Sequence, residues 1–199
     1  EGGHLTAGRD DASRNVSSVV QNSDLDELDV PAFRSTPARW DAIVDCVEEQ
    51  FEAYDVEVVD QRPTEGTYVM VMVGGEPGPL ANAAGRERSG NGRLTGVAPL
   101  GREPVDNAVV FVFSRQLREQ TRAVCETVAH EVGHAFGLDH ALERRDPMSY
   151  LPRPGRRSFQ DAEAACGERE ARQCANGKPA QNSHAHLLEV LGPRPSAEE

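Results

Sequence analysis

Eleven residues near the middle of the chain carry the clearest chemical signal: His130-Glu131-Val132-Gly133-His134-Ala135-Phe136-Gly137-Leu138-Asp139-His140. On a helix, four residues rotate the chain by about 400°, so His130 and His134 stand one turn apart on one face. Two imidazoles at that spacing can reach one Zn²⁺ at about 2.0–2.1 Å. Glu131 lies about 100° further round, where a carboxylate meets a water beside the metal without being a ligand. A continued helix would carry the next histidine away. Gly137 accepts the left-handed conformation that ends a helix, which lets the chain turn and return His140 as third ligand. Three protein ligands leave one position for water, the arrangement of a catalytic site. For a chain of this composition, all five positions coincide by chance roughly once in twenty thousand. That decides for one catalytic zinc ion over three unrelated histidines.

The run resembles the extended zinc signature of the metzincins, H-E-x-x-H-x-x-G-x-x-H. Asp146-Pro147-Met148-Ser149-Tyr150 follows closely. Met148 matches the methionine of that clan's Met-turn, which lies beneath the metal. Tyr150 matches the tyrosine that astacin-like and serralysin-like members place near zinc. The resemblance covers about residues 108–150. The combination of Cys46, Cys125, this turn and Cys166-Gly167-Glu168 is also similar to uncharacterised metzincins of myxobacteria. The resemblance implies a zincin-like α+β fold: a mixed twisted sheet, a backing helix, an active-site helix and a loop-rich carboxyl-terminal subdomain. It implies a zinc metalloendopeptidase with Glu131 as general base and Tyr150 as an aid to the oxyanion. The partners expected are protein or peptide substrates, met by a monomer. Nothing in the residues indicates calcium.

The elements that must position these residues follow from periodicity. Trp40, Ile43, Val44, Val47, Phe51 and Tyr54 form one apolar stripe at helical spacing, after Thr36-Pro37 as a helix start. Val56 to Val59, Tyr68 to Val73 and Ala108 to Phe113 read as strands, and a helix is expected from about Arg115 to Phe136. Thr95 to Leu100 is the candidate edge strand along which an extended substrate would lie. Ser158-Phe159-Gln160-Asp161 has capping-box spacing, and Ser183 would cap a last helix bearing Leu187, Leu188, Val190 and Leu191. Residues 1–38 are expected to be an acidic, mostly irregular arm with weak strand candidates at Val16 to Val20 and Leu28 to Phe33. Residues 39–199 would form the catalytic domain, dividing into subdomains at about residue 137.

Composition narrows the classes. A net charge of −12 excludes nucleic acid and anionic membrane as standing partners, because phosphates must be met by Lys and Arg. No apolar run approaches the roughly 20 residues that span a bilayer. Glu1-Gly2-Gly3-His4 is not a signal peptide and reads as a trimmed start. Four cysteines allow three pairings; nearness in sequence pairs Cys166 with Cys174 and leaves Cys46 with Cys125. An even count in a loop-rich chain favours an oxidised, exported protein. Asn15-Val16-Ser17 matches a glycosylation sequon. His4, His184, His186 and the basic stretch Arg153-Pro154-Gly155-Arg156-Arg157 read as solvated surface, and Asp139 as a solvated turn residue, with the orienting of a histidine ligand as its alternative. The alternative function is a zinc-binding protein that is silent or latent, its acidic arm blocking the cleft.

Overall fold

The computed structural model describes residues 2–81, 93–99 and 101–196. Among them the chain is a mixed α+β protein with small sheets and four α-helices. The central sheet has the order β4-β6-β5, in which β6 (Val109–Val112) runs parallel to β4 (Met70–Val73) and antiparallel to β5 (Gly96–Val97). Every residue of β6 is buried. Its alternate side chains serve two different cores, as the period of two requires. Val110 and Val112 face Ile43, Val47 and Phe51 of α2 (Pro37–Phe51) and Val124, Val128 and Val132 of α3 (Thr121–Ala135). Val109, Phe111 and Phe113 face Leu5, Val19, Val20 and Leu80.

That second core corrects the expectation of an irregular arm. β1 (Gly3–Ala7) pairs parallel with β2 (Val16–Ser17) and antiparallel with β3 (Glu27–Val30). The short helix α1 (Ser18–Gln21) follows β2, capped by the Ser17 hydroxyl. So the Val16 to Val20 candidate splits into a strand and a helix, and the Leu28 to Phe33 candidate ends at Val30. Asp10 accepts from the Val109 N–H at 3.2 Å, which fastens the arm to the central sheet.

α2 begins as its sequence dictates. The Thr36 hydroxyl accepts from Arg39 N, and Pro37 occupies the first turn, where a missing N–H costs nothing. α3 starts six residues later than expected: Arg118 and Glu119 adopt φ of 52° and 54°, breaking any helix through 115–120. The two helices are joined by the disulfide Cys46–Cys125, and Cys166–Cys174 closes a tight loop near the carboxyl end. Both pairs are as expected. Val56 to Val59 pairs with no strand among the described residues, and Ser158 opens no helix, because Ser158 N and Gln160 N donate to Arg145 O and Asp146 Oδ2. α4 (Ser183–Leu191) is capped by Asn182, one residue earlier than expected. Of the Thr95 to Leu100 candidate, Gly96–Val97 is strand and Leu100 lies outside the described residues. The helical core continues across Gly137 into Leu138, Ala141, Met148, Phe159 and Leu187.

Candidate metal centre

His130 and His134 lie in the last turns of α3, both buried. The helix ends in a Schellman arrangement: Leu138 N donates to Gly133 O and Gly137 N to His134 O, with Gly137 at φ 90°. The turn reverses the chain and delivers His140, 1% exposed, to the face that carries the other two. The Nε2 atom of His134 stands 3.1 Å from those of both His130 and His140. One ring nitrogen from each of the three lies within 4.8 Å of the others, making a group that could hold a metal ion.

The opposite ring nitrogens decide what those Nε2 atoms are. His130 Nδ1 faces Pro147 O at 2.9 Å, His134 Nδ1 faces Leu138 O at 2.8 Å, and His140 Nδ1 faces a Glu168 carboxylate oxygen at 2.9 Å. Each acceptor requires the ring hydrogen on Nδ1, which leaves a bare lone pair on Nε2. Burial pushes the protonation of His130 and His134 down to about 3 and that of His140 to about 4, so the rings are neutral. Three lone pairs thus face one another with no hydrogen to share. Ligands at about 2.0–2.1 Å in tetrahedral array would be about 3.3 Å apart, close to the 3.1 Å that separates His134 Nε2 from each of the other two. The donor set fits a divalent cation.

Glu131 is 4% exposed. Its side chain packs against the backbone of Gly96 in β5: a Cβ built at Gly96 would stand 2.7 Å from Glu131 Cγ and Cδ and closer still to Oε1. The edge strand therefore runs past the carboxylate, and only glycine leaves room for it. Met148 is fully buried against Gly133, where a Cβ would meet its sulfur at 2.6 Å. Asp146 fixes this turn by accepting from Met148 N at 2.9 Å and Gln160 N at 3.0 Å, and Ala141 N donates to Met148 O. Tyr150 is half-buried, its ring centroid 5.2 Å from that of His130 and 4.4 Å from that of His140. Arg157 holds the chain on either side of Tyr150 by donating to Ser149 O and Leu151 O.

No family model matches this chain. No curated protein matches it either. The site therefore stands on its own geometry.

Several residues differ from their expected roles. Asp139 is buried, not solvated: Arg172 grips both its oxygens at 2.6 and 2.7 Å, and Oδ1 accepts from His140 N at 2.7 Å. Gln181 brackets the Asp139 backbone, accepting from its N–H and donating to its carbonyl. His184 and His186 are not free surface residues. His184 Nδ1 is 2.9 Å from the Tyr54 hydroxyl, and His186 Nε2 is 2.8 Å from Phe136 O at the end of α3. His4 is exposed, as expected, and meets Asp29. Among the described residues no carboxylate joins the three histidines. Sequence reasoning missed Gly96, Gly133, Glu168, Arg172 and Gln181. Two signals could have found the first pair, since glycine inside a strand or helix pattern marks a close approach.

Proposed function

We propose that this protein is a zinc-dependent endopeptidase of the metzincin type, secreted or otherwise exported. The observation that carries the reading is the convergence of three unprotonated Nε2 atoms, each with its Nδ1 committed to an oxygen, one residue along the helix from a buried carboxylate. Three nitrogen ligands favour zinc among the common divalent ions, and the incomplete tetrahedron is that of a catalytic centre. When bound, zinc supplies Lewis acidity toward water and the scissile carbonyl.

The chain's own residues do the rest. Glu131 accepts a proton from the attacking water and gives it to the leaving amine nitrogen, so one water adds across one peptide bond. β5 offers an edge with no strand beyond it among the described residues, and an extended peptide pairs with such an edge through its main chain. Tyr150, stacked on His130 and tilted against His140, is on hand to donate to the oxyanion. The two disulfides accord with an oxidising compartment, and among the described residues no helix is long and apolar enough to cross a membrane. Cleavage of casein, lost with a chelator and restored by zinc, is the expected behaviour. Glu131→Gln should keep about one equivalent of zinc while casein cleavage disappears. Retained cleavage in that variant would remove Glu131 from its role.

A further inference from the structure

The three imidazoles are not held alike. His130 and His134 give their Nδ1 hydrogens to main-chain carbonyls, of Pro147 and Leu138, whereas His140 gives its to a side-chain carboxylate 28 residues away. Glu168 accepts that hydrogen and also a hydrogen bond from Arg172 Nη2 at 2.8 Å. The same guanidinium grips Asp139 through Nη1 and Nη2, and Asp139 in turn accepts the backbone N–H of His140. One planar group therefore ties together the acceptor of the His140 ring and the acceptor of its main chain. A guanidinium forks in a fixed plane, so the two carboxylates are set relative to each other and the ring with them.

The loop that carries Glu168 and Arg172 is built to present them. The Cys166–Cys174 disulfide closes it, with both sulfurs buried. Gly167 turns at φ 138° so tightly that any Cβ would strike Glu170 O. Gly167 N donates to His140 O at 3.0 Å, and Arg172 N donates to Cys166 O at 2.8 Å.

We propose that Glu168 and Arg172 are the positioning residues of the third metal ligand, presented by the disulfide-closed loop 166–174; this rests on the metal-site reading above. For Glu168 the worth lies in orientation more than in stability, since its side chain is 44% exposed and an ion pair that exposed contributes little to folding. Arg172 also pairs the buried Asp139 carboxylate, so its removal costs stability as well. Partners behind a metal-bound histidine typically set metal affinity by roughly 10–100-fold.

The test is zinc affinity of the full chain, measured by competition with a chromogenic chelator at constant pH, alongside thermal unfolding of the metal-free protein. Glu168→Ala and Arg172→Ala should each weaken zinc binding by roughly 10–100-fold; the metal-free unfolding temperature should change little in Glu168→Ala and fall in Arg172→Ala, which leaves the buried Asp139 carboxylate unpaired. The double variant should lose less than the product of the two, because they form one network. Glu168→Gln, which keeps an oxygen for His140 Nδ1, should recover part of the loss. His134→Ala is the reference. If it abolishes zinc binding while Glu168→Ala and Arg172→Ala bind within threefold of wild type, the positioning role is overturned and the metal site stands. If His134→Ala binds zinc like wild type, the metal-site reading itself fails. A loss in Glu168→Ala matched by an equal collapse in unfolding temperature, with no rescue by Gln, would assign the loop a merely structural role and overturn the proposal.

Discussion

Gly96→Ala adds one methyl group opposite the side chain of Glu131. Nothing in the backbone forbids it, since Gly96 is not among the residues with positive φ. The cost lies in space alone. The new carbon would stand 2.7 Å from Glu131 Cγ and Cδ, against an ordinary carbon contact of about 3.5–4.0 Å. Relief requires the carboxylate to retreat by about 1 Å, or β5 to shift by as much. A misplacement of about 1 Å in a reacting group costs around 100-fold in rate, or about 2.7 kcal/mol of transition-state stabilisation. Overpacking of this kind also lowers stability by about 1–3 kcal/mol. The assay has two arms. On casein or a quenched peptide, kcat/KM should fall around 100-fold with zinc content unchanged. In denaturant unfolding, Gly96→Ala should be costly in the wild-type background and nearly neutral in Glu131→Ala, which lacks the atoms that clash; a coupling of about 1–2 kcal/mol is expected. An equal cost in both backgrounds, or activity within threefold of wild type, would refute the close approach of strand and carboxylate.

The remaining predictions concern the metal and the frame around it. His140→Ala should weaken zinc retention strongly, and unchanged zinc stoichiometry would remove it as third ligand. The metal-free protein should lose stability as pH falls from about 6.5 toward about 4. There the unfolded histidines take up protons that the buried His130, His134 and His140 refuse, so their contribution is full above pH 6.5 and lost below it. Asp146, pushed up to about 6 by burial, acts in the opposite direction over part of that window, but one carboxyl stands against three imidazoles. A flat urea midpoint between pH 7 and pH 4.5 would contradict the buried, neutral site. Cys46 and Cys125 are 79 residues apart, so replacing both by Ser should cost about 4.5 kcal/mol by loop-closure entropy, against about 2.6 kcal/mol for the short Cys166–Cys174 loop. The reverse order in unfolding measurements would show that chain entropy is not the governing effect.

What the sequence made legible is what spacing alone determines. The His130 to His140 run, the glycine turn at 137 and the apolar stripe of α2 are local patterns, and each appears where its periodicity puts it. The amino-terminal sheet was hidden because its strands are only two to five residues long, and its pairing joins Leu5 to Leu28 across an intervening helix. Val56 to Val59 shows the converse: β-branched residues favour an extended chain, but they do not supply a neighbour to pair with. Asp139 looked like a turn residue because its partner, Arg172, lies 33 residues further on. A separation of 28 residues likewise hid Glu168 behind His140. Local chemistry announced the ligands, while the groups that aim them come from remote segments brought in by the fold.

X-ray absorption at the zinc edge, on protein reconstituted with one equivalent of zinc, tests the central claim most directly. Three imidazole nitrogens at about 2.0–2.1 Å with one further light-atom ligand are expected, falling to two imidazoles in His140→Ala. A wild-type spectrum with fewer than three imidazoles, or one unchanged by that substitution, would contradict the site.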